Sequence, residues 1–324
     1  MSKPIIVTGA AGFIGRNILA ELNRRGEQEL ILADLLGTDE KWKNLRQLRY
    51  EDIVSPTGLL ERIEHGQFKD ARAIIHLGAC SATTERDADY LLENNYRYTR
   101  RLCEFCLENG IRFIYASSAA TYGDGSKGYT DDDAVTPTLH PLNMYGYSKH
   151  MFDLWALKVG ALKSVAGLKY FNVFGPYEDH KGEMKSVIAK SYRQIKKEGK
   201  VHLFRSYNPK YADGEQMRDF IYVEDAVAVT LSFLERESAS GLFNCGTGKA
   251  RTWNDLVTAV FHAMKLPVQI DYIEMPEVLR GKYQYFTEAN MGKLRSAGYN
   301  KRFFSLEEAI TDYVDNYLNK QEAP

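Results

Sequence analysis

Ile5-Ile6-Val7-Thr8-Gly9-Ala10-Ala11-Gly12-Phe13-Ile14-Gly15 decides the fold. Its head, Ile5 to Val7, reads as a short buried strand. Three glycines follow at G-x-x-G-x-x-G spacing, and Asn17 to Arg25 behind them reads as a helix ending near Gly26. A glycine pattern alone is weak evidence, but a strand before it and a helix after it make a phosphate loop. Lacking a Cβ, Gly9, Gly12 and Gly15 let the backbone turn tightly and approach a pyrophosphate, which rests at the positive end of the helix. An ordinary strand–helix turn does not call for three glycines in register.

Leu30-Ile31-Leu32-Ala33 is the second strand and ends at Asp34, 19 residues beyond Gly15. An acid there accepts a hydrogen bond from a ribose 2′-hydroxyl and favours NAD. Lys41 and Lys43 follow in the loop, where they would meet a 2′-phosphate, so NADP and NAD both stand at this point. A third strand is expected near Leu48, a fourth at Ala73 to Leu77, a fifth at Arg112 to Ala116 and a sixth at Lys169 to Val173. A long helix after Thr84 stops at Gly110, a normal C-terminal cap. Alternating strands and helices predict an α/β fold, a Rossmann doubly wound parallel sheet. Residues 176–219 carry no strong strand pattern in their centre, and Phe220 to Val223 then reads as a strand before a helix over Glu224 to about Glu237. The expected division is a dinucleotide-binding domain of residues 1–175 plus about 220–250, and a smaller, interleaved α/β substrate domain of residues 176–219 plus about 251–324. Asn319 to Pro324 reads as a frayed tail.

The chain has 324 residues, 44% hydrophobic and 26% charged, enough to bury a core without metals or disulfides. A net charge of -1 gives no pull toward nucleic acid or membrane. No apolar run approaches a membrane span, and Met1 to Pro4 leads straight into the first strand without a signal-peptide layout, so a cytoplasmic protein is expected. Cys103 and Cys106 form C-x-x-C, but they lie in a helical stretch with no second pair and no histidine at ligand spacing; they read as packing residues, and no metal is expected. Trp42, Trp155 and Trp253 also read as packing residues.

Tyr145-Gly146-Tyr147-Ser148-Lys149 contains Y-x-x-x-K. Four apart on a helix, Tyr145 and Lys149 share a face, so the ammonium is expected to depress the phenol's pKa toward useful basicity. With 21 tyrosines in the chain the motif alone is common. Its partner is Tyr115-Ala116-Ser117-Ser118-Ala119-Ala120-Thr121-Tyr122-Gly123, which closes the fifth strand where ligands of open α/β sheets bind. Ser117 or Ser118 would bond a substrate oxygen there. A Ser-Tyr-Lys set beside a nucleotide loop reads as hydride chemistry on an alcohol. Arg218 before the strand at Phe220 suits a diphosphate; the alternative is an Arg218–Asp219 pair locking the domain junction. The helix Asp153 to Lys163 is a candidate subunit contact, and a homo-oligomer is expected.

These residues resemble the extended short-chain dehydrogenase/reductases along essentially the whole chain. The similarity is narrower still to the branch that epimerises ADP-heptose at C6″. It is carried by His76 to Glu85, Tyr115 to Gly123, Leu142 to Lys149, Tyr170 to Pro176, His180-Lys181-Gly182 and Arg280-Gly281-Lys282-Tyr283-Gln284. The resemblance implies a bound NADP retained through turnover, with NAD possible, and a nucleotide-sugar substrate of lipopolysaccharide inner-core synthesis. It implies Tyr145 and Lys149 as catalytic, Ser118 as a substrate contact and Lys181 as a second base. Phe13, Ile14, Asp34, Lys41, Leu77, Gly78, Ala79, Ser81, Asn94, Lys149 and Val173 would line the cofactor site. Asn172, Arg218 and Tyr283 would contact substrate. From spacing alone Lys181 would be a phosphate-contacting or surface lysine.

This sequence departs from the pattern at Glu183, where the family often has a small serine, at Lys190 in place of a histidine, and in a longer stretch from Arg205 to Gln216. Three alternatives compete. A 4,6-dehydratase would need an Asp-Glu pair where Ala119 and Ala120 stand. A UDP-hexose 4-epimerase would give no reason for Lys181. A non-catalytic NADP-binding sensor typically loses the Tyr-Lys pair that is kept here.

Overall fold

A computed structural model of the chain describes residues 3–38, 40–280 and 283–321. Gly281 and Lys282 of the Arg280–Gln284 motif, and Glu322 to Pro324 of the expected tail, lie outside the described residues. The front half of that tail is not frayed: Asn319–Gln321 continues a helix.

Among the described residues twelve strands run in chain order: β1 (Ile5–Thr8), β2 (Leu30–Ala33), β3 (Asp52–Val54), β4 (Ala73–His76), β5 (Arg112–Ser118), β6 (Ala166–Tyr170), β7 (Asn172–Phe174), β8 (Val201–Phe204), β9 (Met217–Tyr222), β10 (Gly241–Cys245), β11 (Ala250–Thr252) and β12 (Ile270–Ile273). Seven form one sheet in the order β10-β6-β5-β4-β1-β2-β3, with every neighbouring pair parallel. Such a sheet is covered on both faces, which explains the unbroken apolar runs of β1, β2 and β4. Alternate residues go to opposite faces. Ile5, Val7, Leu30, Leu32, Ala73 and Ile75 face one core with α1 (Phe13–Arg24). Ile6, Ile31, Ala33 and Ile74 face another, with α2 (Pro56–Glu64), α4 (Tyr98–Asn109) and α5 (Met144–Lys158). Each fully buried Ile, Leu or Val contributes roughly 1.5–3 kcal/mol of transfer free energy. Cys103 and Cys106 fill the second core; burial pushes the Cys103 thiol up to about 12 and the Cys106 thiol well above its ordinary value.

The strand order reverses between β1 and β4, whose carboxyl ends open into Gly9 and Leu77. That switch point is where open α/β sheets bind ligands. Three expectations shift. The third strand is Asp52–Val54, because Leu48 closes a turn on Leu45 behind a 3₁₀ segment, Glu40–Leu45. The expected sixth strand is two: β6 stays in the large sheet, Phe171 donates its N–H to Cys245, and β7 leaves to pair with β9. The long helix expected after Thr84 begins only at Ala88 and is not uniform. After α3 (Ala88–Leu91) comes a π turn, Leu92–Arg97, before α4.

β9 lies between β7 and β11 in a three-stranded sheet, and β8 pairs β12 in parallel. Residues 176–219 hold α6 (Val187–Glu198) and β8, which sequence patterning left blank. Ile188, Tyr192 and Ile195 give α6 its buried stripe, diluted in sequence by four basic residues; Ser186 caps its start and Gly199 its end. α7 (Val223–Glu235) and α8 (Trp253–Ala263) pack into the first core.

Candidate active site

A cleft of about 760 Å³ opens at the switch point and is lined from the phosphate loop, β4, β5, α5, β7 and the segment after it. At its floor the glycines are sterically fixed. Gly9 has φ +65°, and a Cβ there would lie 2.7 Å from the Gly78 nitrogen. A Cβ on Gly15 would lie 2.1 Å from the Gly9 carbonyl oxygen. Helix α1 starts immediately after Gly12, which has no side chain to cap it. The first-turn N–H groups, without intrahelical acceptors, therefore form an anion cradle. This is the fit expected of a dinucleotide pyrophosphate.

Asp34 and Lys41, opposed in the sequence reading, pair with each other at 2.5 Å. The Asp34 carboxylate also accepts the Ala11 N–H at 2.8 Å and its own neighbour's, Leu35, at 2.7 Å. Lys43 instead pairs with Glu40 away from the cleft.

Behind the loop, His76 is buried between two hydroxyls. Thr99 gives its proton to the Asn95 carbonyl, so the His76 Nε2–H donates to the Thr99 oxygen and Nδ1 accepts from Thr8. Burial holds His76 neutral, its pKa well below the ordinary value. The π turn aims Asn94 into the cleft and Asn95 inward. Asn95 holds both backbone groups of Cys80 and donates to the Ser148 hydroxyl. Ser148 in turn bonds the Tyr145 carbonyl. Thr8, His76, Asn95 and Tyr145 thus belong to one hydrogen-bonded chain.

Tyr145 and Lys149 sit one turn apart at the start of α5, capped by Asn143. Tyr145 and Ser118 both line the cleft. Ser117 is turned inward and donates to Asp153 at 2.7 Å, so Ser118 is the serine presented to a ligand. One expectation is overturned. The Tyr145 pKa is raised, not depressed, because burial dominates and Lys149 gives its ammonium to the Ala116 carbonyl at 2.9 Å. Burial instead lowers Lys149 to about 8, against the pull of Asp153. One turn further along α5, fully buried Asp153 pairs with fully buried Lys169 at 2.7 Å and accepts from Tyr115.

Lys181 enters the cleft from the 3₁₀ segment Asp179–Met184, its ammonium 5.1 Å from the centre of the Phe13 ring. Burial lowers its pKa, opposed by Glu178. Gly182 takes φ 52° here, which lets the segment bend back. Glu178 is fully buried at its root and binds Ser186 and Tyr313. The two family departures meet: the Lys190 ammonium binds the Glu183 carbonyl at 2.5 Å and lies 3.3 Å from its carboxylate.

The cleft gathers Gly9, Gly12, Phe13, Ile14, Gly15, Asp34, Lys41, Leu77, Gly78, Ala79, Ser81, Asn94, Ser118, Tyr145, Lys149, Asn172, Val173 and Lys181. Arg218 and Tyr283 are not on its lining. Arg218 donates to the Met217 and Gln284 carbonyls and stacks on the rings of Trp253 and Tyr283. Its alternative partner, Asp219, instead holds Thr247, Gly248 and Ala289. Trp253, read as packing, lines the cleft and donates its indole N–H to the Tyr283 hydroxyl at 2.9 Å. Sequence reading also missed Met184 to Ile188 and Phe220. The Ser186 cap of α6 was the available signal, hidden by the lack of an obvious apolar run.

Residues 5–246 match the model of the NAD dependent epimerase/dehydratase family. The chain is 59% identical over 314 residues to ADP-L-glycero-D-manno-heptose-6-epimerase of Nitratidesulfovibrio vulgaris, covering 97% of each chain. It is 48% identical over 331 residues to the protein of that name in Fusobacterium nucleatum, covering 98% of this chain and 99% of the other. The crystal structure of the Helicobacter pylori ADP-L-glycero-D-manno-heptose-6-epimerase superposes with a TM-score of 0.79 at 26% identity, over 97% of this chain and 96% of that one.

Proposed function

The chain belongs to the NAD dependent epimerase/dehydratase family and, within it, to the ADP-L-glycero-D-manno-heptose-6-epimerases; from that premise we propose that it inverts C6″ of ADP-D-glycero-β-D-manno-heptose to the L-glycero epimer, for the inner core of lipopolysaccharide. One observation carries this reading beyond the premise: a phosphate loop, the Ser118–Tyr145–Lys149 set and Lys181 converge on one cleft.

The C–H of an unactivated carbinol is not acidic, so proton loss at carbon is closed and oxidation is the open route. A nicotinamide held by the phosphate loop would supply reversible hydride transfer at C6″, by way of a 6″-ketone. The chain's own groups handle the hydroxyl proton. Tyr145, beside Ser118, and Lys181 are the two acid/base groups, reaching the cleft from different elements. C6″ is exocyclic, and rotation about C5″–C6″ presents its other face, so two such groups suit the reaction better than one. Ser118 holds the reacting oxygen. Lys149 keeps a positive charge beside the cleft and anchors the carboxyl end of β5 through Ala116. Asn172 lines the sugar end, while Arg218 and Tyr283 flank it through Trp253.

The nicotinamide cofactor follows from the family; that it is NADP is our reading of Asp34 and Lys41. Asp34 spends its oxygens on Ala11, Leu35 and Lys41, which leaves Lys41 as the cation presented to a 2′-phosphate. Gly9, Gly12 and Gly15, with Phe13, Ile14, Leu77, Gly78, Ala79, Ser81, Asn94 and Val173, would hold the rest. Among the described residues no helix is long and apolar enough to cross a membrane.

Proton NMR of the purified protein with ADP-D-glycero-D-manno-heptose and no added cofactor tests the reading. Signals of the L-glycero epimer, absent with Tyr145→Phe, are expected. No conversion after NADP and NAD are both supplied would remove the heptose assignment.

A further inference from the structure

We propose that Asn44 is a positioning residue for Lys181, tying the cofactor-binding loop to the segment that carries the second acid/base group. The inference rests on Lys181 having that role.

Lys181 lies on a short segment that is half-buried at best and bent at Gly182, and its own turn does not fix where the ammonium points. Two asparagines of the phosphate-loop unit reach across to it. At its base, Asn17 on α1 donates to the Phe13 carbonyl at 2.9 Å and to the Pro176 carbonyl at 3.1 Å. At its tip, Asn44 donates to the Ala11 carbonyl at 2.8 Å and lies 3.2 Å from Nδ1 of His180, the residue before Lys181. An amide nitrogen is only a donor, so His180 Nδ1 is the acceptor.

The phosphate loop and the loop after β2 meet twice at Ala11. Asp34 takes its N–H and Asn44 takes its carbonyl. Asp34 is paired to Lys41, three residues before Asn44 on the same 3₁₀ segment. An unbroken path therefore runs Lys41–Asp34–Ala11–Asn44–His180–Lys181. Whatever settles the ribose end of the cofactor against Lys41 also settles the Lys181 segment. Asn44 touches neither reacting atoms nor the nicotinamide end; it acts through His180.

The test uses the cofactor-loaded enzyme and steady-state epimerisation of ADP-heptose. Asn44→Ala and His180→Phe should each lower kcat on the order of tenfold, the loss of one hydrogen bond's worth of placement, with KM within about twofold. Cofactor content and melting temperature check that the variants are folded and loaded. The double variant should be no slower than either single, because both remove one contact. His180→Asn, which puts an amide oxygen near the Nδ1 position, should recover most of the rate lost in His180→Phe. In a Lys181→Met background, measured at high enzyme concentration, Asn44→Ala should cost nothing further. Additive losses, a full-rate Asn44→Ala, or an equal loss in the Lys181→Met background would overturn the proposal. Full activity of Lys181→Met itself is a different failure: it would remove the acid/base role of Lys181, and Asn44 with it.

Discussion

The two proposed acid/base groups, Tyr145 and Lys181, stand in unlike surroundings. Tyr145 rises from a capped fifteen-residue helix whose inner face is tied down by Asn95, Ser148 and the Asp153–Lys169 pair. Lys181 hangs on a six-residue 3₁₀ segment held at its root by Glu178 and at its tip by Asn44 and His180. One group is placed by buried secondary structure and a satisfied polar network, the other by a few side-chain bonds across a loop. A group on a rigid element keeps its geometry through the reaction, whereas one on a loop can follow a substrate whose C5″–C6″ bond must rotate.

The contrast predicts a graded set of effects. Tyr145→Phe and Lys181→Met should each cut epimerisation by roughly 10²–10⁴-fold while leaving bound cofactor in place, as removal of a general acid/base does; absorbance of the isolated proteins checks the cofactor. A loss confined to Tyr145→Phe would break the symmetry assumed between them. Lys169→Met should destabilise the fold by about 3–5 kcal/mol in urea denaturation, since it strands the buried Asp153 carboxylate. Burial sets the Lys149 ammonium at about 8, so a rate that needs its charge is complete below that pH and falls as pH rises through it. A kcat profile flat from pH 7 to roughly 9.5 would show that the charge is dispensable. Smallest is Asp179→Ala in the Lys181 segment. Its pair with Arg193 at 2.6 Å is half-exposed, and the expected cost is about 1 kcal/mol or less. A larger cost would mean the loop is as firmly built as the helix.

The same contrast explains what could be read in advance. The phosphate loop, the parallel sheet and Y-x-x-x-K are local patterns: glycines at fixed spacing, a two-residue pleat and a four-residue helical step. Tyr145, Lys149 and Ser118 came together because they lie at the ends of elements that the patterns predict. Lys181 was visible only through family resemblance, since nothing near His180-Lys181-Gly182 is periodic. The direction of the Tyr145 shift was misread because spacing shows Lys149 nearby but not that Ala116 captures its ammonium or that burial outweighs its charge. Trp253 was passed over because its role depends on β11 folding back against β9 and on Tyr283, 30 residues further along the chain, meeting its indole N–H. Arg218 drew the diphosphate role from its charge, yet the fold gives its guanidinium two carbonyls and two aromatic faces.

The most direct test of two acid/base groups is a half-reaction. Each epimer of ADP-heptose is mixed in turn with Tyr145→Phe and with Lys181→Met, both loaded with oxidised cofactor, and nicotinamide fluorescence is followed in a single turnover. If the two groups serve opposite faces of C6″, each variant reduces its cofactor with one epimer and not the other, and the two variants prefer opposite epimers. If both variants fail with both epimers, the two groups do not divide the faces of C6″ between them; if Lys181→Met reacts with both as the wild type does, Tyr145 carries all the proton transfer; either result contradicts the account.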